Sequence, residues 1–262
     1  MSELRGVLVT VAYDGTGFSG WASQRDTRTV EDTLRGAVHA IDPKAQGPRG
    51  TSRTDAGVHA ESQLAAFDTA VTMPARGWVL ELNRHLPDDV SVRCAREVPT
   101  AYAPRFASKK KRYRYRLVLD KVRDPQLRNR AWRIGWALDI ERLEREARAI
   151  VGAHDFVAFR AAGDEREVTT RTIEDVTVSR SQDDPRVVSI AITGNAFLYN
   201  MVRILVGTLV DVARGHLPEG TIARALADKS RATAGQTAPP QGLVLEHVEL
   251  ELPEGAGAPW PQ

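Results

Sequence analysis

The longest apolar segment of the chain, residues 196–213, places the strongest constraint on how this sequence folds. It contains four polar residues, which are Asn200, Arg203, Thr208 and Asp211. Polar side chains inside an apolar segment of this length predict a helix buried within a protein rather than one that crosses a membrane. A helix that is apolar on nearly every face needs other elements around it. The 262 residues of the chain can supply them as two compact domains or as one large one.

Strand-like and helix-like segments are mixed in both halves of the chain. Runs typical of strands cover residues 6–13, 63–67, 90–98, 113–119, 176–181, 187–193 and 243–250. Helical spacing covers residues 29–41, 74–85, 139–151, 196–213 and 221–228. The mixture predicts the α+β class, with an N-terminal domain at 1–104 and a C-terminal domain at 105–262. Residues 47–57 are predicted to be a loop and the tail after Pro253 to be loose.

Composition and the N-terminus exclude several protein classes. Cys94 is the single cysteine, so no internal disulfide can form and a reducing compartment is favoured. Strand alternation predicts that Cys94 packs on the same face as Val90 and Val92. The six histidines show no ligand spacing, and the first residues lead directly into a strand without an export leader. We therefore expect a cytoplasmic protein with no membrane segment and no metal site.

Residues 15–20 match the pattern G-x-G-x-x-G and follow a strand. In a dinucleotide site the glycines open a helix whose N-terminus faces the pyrophosphate. Here the helical pattern begins only at Thr29, and no βαβ unit follows. The sequence therefore predicts no nucleotide cofactor at this loop.

A carboxylate and an arginine lie close together in the turn-forming segment 52–60. Arg53 precedes Asp55 by two residues, and Gly57 follows. A neighbouring cation lowers the pKa of an acid and keeps it ionised at neutral pH, as a nucleophile requires. The alternative is a surface loop with a local ion pair of little energetic weight, because Asp and Gly are ordinary turn residues.

Arg203 lies in the middle of the apolar helix predicted at 196–213. A buried guanidinium without a partner is costly, so a carboxylate or phosphate is expected beside it, and Asp55 is one candidate. The alternative is a narrow solvent-facing stripe that Arg203 shares with Asn200 and Asp211.

Residues 105–116 combine a high positive charge with aromatic side chains. The basic members are Arg105, Lys109, Lys110, Lys111, Arg112, Arg114 and Arg116, and the run contains no acid. Phe106, Tyr113 and Tyr115 lie between them. Cations bind phosphates and aromatic faces stack on unpaired bases, so we expect RNA, with Lys109, Lys110, Lys111 and Arg112 on its backbone. A solvated face or an amphipathic strand is the alternative.

These segments together resemble the tRNA pseudouridine synthase A family. The similar stretches occur in register along nearly the whole chain, at residues 13–21, 53–59, 82–87, 105–106, 111–115, 152–156, 197–203 and 238–245. The resemblance implies that Asp55 is the catalytic carboxylate and that Arg53 contacts the RNA backbone beside the target nucleotide. It also implies that Tyr113 stacks on the target uracil, that Arg203 pairs with Asp55, and that Leu243 packs near the base.

The resemblance has further implications for fold, substrate and assembly. It implies two α+β domains with mainly antiparallel sheets that join across a central positively charged cleft. It also implies a homodimer without metal or cofactor that acts on uridines of the tRNA anticodon arm, at tRNA positions 38–40. Ser52 stands where the family usually has Gly, and Ile204 where Asn often follows the helix arginine. A non-catalytic tRNA-binding or chaperone protein, or a nucleosidase that releases free uracil, remains as an alternative.

Overall fold

The computed structural model describes residues 4–261. Its strands and helices follow in this order: β1 (Arg5–Tyr13), α1 (Val30–Ile41), β2 (Gln46–Gly50), β3 (His59–Thr69), α2 (Ala75–His85), β4 (Val90–Val98), α3 (Pro104–Ala107), β5 (Ser108–Leu119), β6 (Trp132–Ile134), α4 (Ile140–Ala147), β7 (Gly152–Asp155), β8 (Thr170–Arg180), β9 (Val187–Gly194), α5 (Met201–Ala213), α6 (Thr221–Asp228) and β10 (Leu243–Leu250). The predicted α+β class is confirmed.

The chain divides into two compact units. One unit comprises the residues up to Lys109 together with those from Leu245 onward, and the other is Lys110–Val244. The division 1–104 and 105–262 expected from the sequence placed the last strand with the second half. In the structure the residues of β10 from Leu245 onward are grouped with the first unit.

The first unit is built on strands in the order β4-β1-β3-β10, with β2 paired to β3. β1 is antiparallel to both of its neighbours, and Val9 lies opposite Ala65 of β3 and Ala95 of β4. Phe67 of β3 and Trp78 of α2 meet edge to face, with ring centroids 5.2 Å apart. Both rings are buried, so the helix covers the sheet through an aromatic contact.

The start of α1 is capped by the side chain of Thr29. The Thr29 hydroxyl accepts from the Asp32 N–H at 3.2 Å and donates to the Asp32 carboxylate at 2.6 Å. A capping side chain satisfies one of the amide groups that a helix start leaves unpaired.

β2 and β4 of the first unit differ from the sequence prediction. Residues 46–50 form β2 rather than a loop, since a short edge strand tolerates the Pro and Gly that a central strand does not. In β4 a bulge interrupts the alternation, because Thr10 pairs with Cys94 but Val11 pairs with Val92. Ala95 therefore takes the buried position, and Cys94 is half-exposed.

The tail after Pro253 is not loose. Ala95 and Trp260 exchange backbone hydrogen bonds of 3.0 Å in each direction, and the Gly257 N–H donates to the Glu97 carbonyl at 3.0 Å. The tail thus runs along β4, which would otherwise be an open edge of the sheet.

The second unit carries strands in the order β5-β9-β8-β7, which are antiparallel, while β6 runs parallel beside β5. α5 is buried along most of its length and packs against α4 and α6. It begins at Met201 rather than at residue 196, because Asn200 has a left-handed backbone with φ of 58°. α4 ends at Ala147, and residues 148–150 continue as a 3-10 turn. No helix within residues 4–261 is long and apolar enough to span a membrane.

Candidate active site

Asp55 lies in the tight turn between β2 and β3. The Val58 N–H donates to the Asp55 carbonyl at 3.1 Å, which closes the turn. Asp55 is half-buried, and Arg53 is exposed two residues before it. Thr54 and Val58 are both buried and anchor the turn in the first unit, while the Arg53 side chain is exposed to solvent.

The glycine-rich loop at residues 14–20 packs against this turn. The Trp21 N–H donates to the Thr54 carbonyl at 3.1 Å, and the Gly57 N–H donates to the Phe18 carbonyl at 3.3 Å. Gly20 has φ of 99°, and a Cβ there would lie 2.6 Å from the Thr54 oxygen. Such an approach requires glycine, so the glycines of this loop serve close backbone packing on the Asp55 turn.

Gln63 holds the segment that leads to Asp55, a contact that the sequence reasoning missed. This buried side chain accepts from the Thr51 hydroxyl at 2.6 Å and from the Ser52 N–H at 3.2 Å. Its own amide N–H donates to the Ser52 carbonyl at 2.6 Å. The sequence did hold a signal for this role. Strand alternation places Gln63 on the same face as Ala65 and Phe67, and an amide buried on that face requires hydrogen-bond partners.

Two other side chains determine how the Asp55 turn is built. Ser52, one of the departures from the family pattern, is buried, and its hydroxyl has no hydrogen-bond partner among residues 4–261. His59 is buried at the start of β3, and its Nδ1 accepts from the Gly15 N–H at 3.1 Å. The same nitrogen lies 3.2 Å from a carboxylate oxygen of Asp14. Within the described part of the chain, no group of three or more His, Cys, Asp or Glu side chains could hold a metal ion.

In the second unit, Tyr113 and Tyr115 point to the buried face of β5. The Tyr113 ring meets Phe197 edge to face, with centroids 5.1 Å apart. The Tyr115 hydroxyl donates to the Pro239 carbonyl at 2.7 Å. Burial raises the pKa of Tyr115 far above its ordinary value, and the charge of Arg203 offsets part of that rise. Tyr115 therefore stays a neutral hydrogen-bond donor beside Arg203.

Arg203 lies in the first turn of α5 and is half-buried. Its Nε donates to the Ala238 carbonyl at 2.8 Å, and its Nη1 donates to the Asn200 side-chain oxygen at 2.7 Å. Asn200 therefore shares the polar side of the helix with Arg203, as the stripe interpretation expected. Asp211 does not, because it is buried and accepts from Gln236 through the backbone N–H at 3.1 Å and the side-chain amide at 2.9 Å.

The segment that leads to Leu243 is fixed on α5 and β5. A Cβ at Gly207 would lie 1.9 Å from the Gln236 oxygen, and one at Gly242 would lie 2.6 Å from the Tyr115 ring. Both glycines therefore permit contacts that any side chain would block. Leu243 follows at the start of β10 and is buried.

The basic run is compensated more than its sequence suggests. Carboxylates from elsewhere in the chain lie near three of its cations, in the pairs Lys109–Glu251 at 3.4 Å, Lys110–Glu174 at 2.8 Å and Arg112–Asp175 at 3.9 Å. All of these side chains are substantially exposed, so the pairs are weak and exchange readily with other anions. Acidic residues outside the run thus balance part of its positive charge, and the contact with RNA stays a prediction.

Comparison with known proteins gives one consistent picture. A family profile described as tRNA pseudouridine synthase matches residues 147–251. A protein named tRNA pseudouridine synthase A from Thermoanaerobacter sp. (strain X514) is 41% identical over 242 residues, which are 92% of this chain and 98% of that protein. A protein of the same name from Geobacter sulfurreducens is 38% identical over 247 residues, which are 94% of this chain and 100% of that protein. A third, from Halalkalibacterium halodurans, is 41% identical over 243 residues, which are 92% of this chain and 91% of that protein.

Proposed function

Because the chain belongs to the tRNA pseudouridine synthase A family, we propose that it isomerises uridine in tRNA to pseudouridine with Asp55 as its catalytic carboxylate. The observation that carries the proposal is the identity of about two residues in five over nearly the full chain. The geometry of the first unit supports the role of Asp55. Gln63 bonds to Ser52 just before its turn, and the glycine-rich loop bonds to Gly57 within it, so the backbone around Asp55 is held in place as a catalytic group requires.

The reaction needs no external reactant. The N1–C1′ bond breaks, the freed uracil turns, and C5 bonds to C1′, so the atoms of the product equal those of the substrate. The uridine must first leave its stack, which costs a few kcal/mol. We propose that stacking on Tyr113 and phosphate contacts from Arg53 offset this cost. Phe197 supports the Tyr113 ring in that role.

Asp55 has three possible first steps. The carboxylate can attack C1′, attack C6, or accept the 2′ proton, and each step leaves the uracil in the site for rejoining. A carboxylate near an anomeric carbon is familiar from glycosidases, which generally use a second carboxyl group. Exclusion of water is required by all three steps, since water at C1′ would release the base.

The finer assignments also belong to this proposal. The resemblance supports the anticodon arm as the target, at tRNA positions 38–40, and it supports a homodimer that works in the cytoplasm. It also supports an ion pair of Arg203 with Asp55 and a place for Leu243 near the base.

The direct test uses an unmodified tRNA transcript incubated with the wild-type protein. Pseudouridine has the mass of uridine, so chemical labelling followed by mass spectrometry locates it. We expect label in the anticodon arm and no free uracil. Release of free uracil would indicate the nucleosidase. Tight binding without label across a panel of tRNAs would indicate the non-catalytic RNA-binding protein instead.

Replacing Gln63 with Leu should lower activity by way of the Asp55 turn. The variant loses the three hydrogen bonds to Thr51 and Ser52 and leaves buried groups unpaired, at a cost of about 2–4 kcal/mol in the free energy of unfolding. We expect kcat to fall on the order of 10²-fold with little change in KM, because a displaced catalytic group affects the chemical step most. Steady-state kinetics and thermal melting measure the two effects. A Leu64→Ala variant, altered at the neighbouring half-buried position, controls for general damage to β3, and equal kcat losses in both variants would contradict the positioning role.

Replacing Lys109, Lys110 and Lys111 with Ala should weaken tRNA binding and reduce its dependence on salt. Each lost phosphate contact lowers the slope of log K against log salt by about 0.7–0.9. The slope should fall by less than the full sum, because Lys109 and Lys110 also have carboxylates nearby. Filter binding at several salt concentrations measures it, with the matched Lys→Arg triple variant as control. A slope equal to that of the wild type would place the RNA surface elsewhere.

A further inference from the structure

We propose that Phe106 is a stacking platform for a base of the bound tRNA, which adds a binding element to the function proposed above. The residue is 87% exposed, the largest value among the exposed large hydrophobic residues within 4–261. Burying an aromatic side chain of this kind stabilises a fold by about 1.5–3 kcal/mol. Because Phe106 is not buried in the folded chain, its ring can instead be buried against a bound partner.

The turn that leads into α3 is rigidly held. The buried Asp68 carboxylate accepts from both terminal nitrogens of Arg49, at 2.8 and 3.0 Å, and from the Ala101 N–H at 3.1 Å. Arg49 also donates through Nε to the Tyr102 carbonyl at 3.1 Å. Bidentate pairs of this kind combine energy with geometric specificity. The chain entering α3 is thus fixed to β2 and β3.

The chain leaving α3 is held as well. The Glu251 N–H donates to the Ala107 carbonyl at 2.8 Å, and the Tyr102 hydroxyl donates to the Glu251 carbonyl at 2.9 Å. The Phe106 N–H donates to the Ala103 carbonyl at 3.0 Å, which closes the short helix. A ring on a preorganised backbone loses little conformational entropy on binding, so more of the stacking energy appears as affinity.

The surroundings of Phe106 favour RNA over a protein partner. Arg105 and Lys109 are exposed and flank Phe106 in the sequence. Lys109 lies 3.4 Å from the Glu251 carboxylate, and both side chains are exposed, so this pair is weak and a phosphate can replace the carboxylate. An exposed aromatic ring beside cations matches the way single-stranded nucleic acid is bound, with bases on rings and phosphates on cations. A protein interface would instead place a fully desolvated apolar anchor among further apolar side chains.

The test compares Phe106→Ala with Phe106→Trp in the full-length protein. We expect Phe106→Ala to weaken tRNA binding by about 5- to 150-fold, the equivalent of one lost stacking contact of about 1–3 kcal/mol. Phe106→Trp should stay within about twofold of the wild type, because indole stacks at least as well as phenyl. The control is Leu80→Ala, which removes another exposed apolar side chain (48%) of the same unit and should leave binding unchanged.

Two outcomes would overturn the platform. One is wild-type tRNA affinity in Phe106→Ala. The other is a change of oligomeric state in that variant without tRNA, measured by sedimentation, since the ring would then be a contact between protein chains.

The proposed function and the proposed stacking platform can fail independently of each other. If the wild type makes no pseudouridine while Phe106→Ala still loses affinity, the proposed function is wrong and the platform stands. If pseudouridine forms and Phe106→Ala binds tRNA with the affinity of the wild type, the proposed function stands and the platform is wrong.

Discussion

Asp55→Asn protein should bind tRNA with the affinity of the wild type and form no pseudouridine. Asn has nearly the same size and shape as Asp, and it can still occupy the half-buried position in the turn between β2 and β3. The amide is neither a nucleophile nor a base, so each of the three proposed first steps is lost. We expect the rate to fall by about 10⁴-fold or more, as is common when a nucleophile or base is removed.

The measurement is single-turnover formation of pseudouridine, detected by chemical labelling, together with a binding isotherm for the same tRNA. Arg53→Lys is the informative companion, because it keeps the exposed positive charge beside Asp55 and should retain much of the activity. Full activity of Asp55→Asn would end the assignment of Asp55. Loss of tRNA binding together with activity would mean that Asp55 serves the fold or the complex rather than the chemistry.

Arg203→Ala should impair both stability and activity. The Ala238 carbonyl would lose its hydrogen bond from Arg203 Nε while Ala238 remains buried, and Asn200 would lose its partner. Such losses cost about 2–4 kcal/mol in the free energy of unfolding. That cost corresponds to a fall in Tm of about 5–15 °C for a chain of this size. Activity should fall further than stability predicts if Arg203 also pairs with Asp55.

Arg203→Lys separates the two effects. Lysine retains the charge but cannot donate from a planar fork to two acceptors at once. We expect Arg203→Lys to be more active than Arg203→Ala but to have a similarly lowered Tm. The hydrogen bonds to Ala238 and Asn200 depend on the shape of the guanidinium, which lysine lacks. The proposed ion pair of Arg203 with Asp55 is tested by a double-mutant cycle on the free energy of unfolding that combines Arg203→Ala with Asp55→Asn. A melting curve of Arg203→Ala identical to that of the wild type would contradict the structural role.

The sequence alone was sufficient for the class of fold and for most of its elements. Seven predicted segments have ends that agree within one residue, and they correspond to β1, α1, α2, β4, β9, α6 and β10. Such segments are read correctly because helix and strand periodicity depends on neighbouring residues in the chain. The family was also apparent from motifs in register, and the comparisons confirm it.

Only the tertiary structure decided the details that depend on partners distant in sequence. The bulge that turns Cys94 partly outward arises from the pairing of β4 with β1, and the tail is ordered by the free edge of β4. Gln63 acts on Thr51 and Ser52, which lie in another segment of the chain. The glycines at 15–20 resembled a nucleotide-binding pattern, yet Gly20 is required because the Thr54 carbonyl oxygen would lie only 2.6 Å from a Cβ there. Close approaches and long-range hydrogen bonds leave no periodic signal in the sequence, so the fold had to bring the partners together before their roles could be seen.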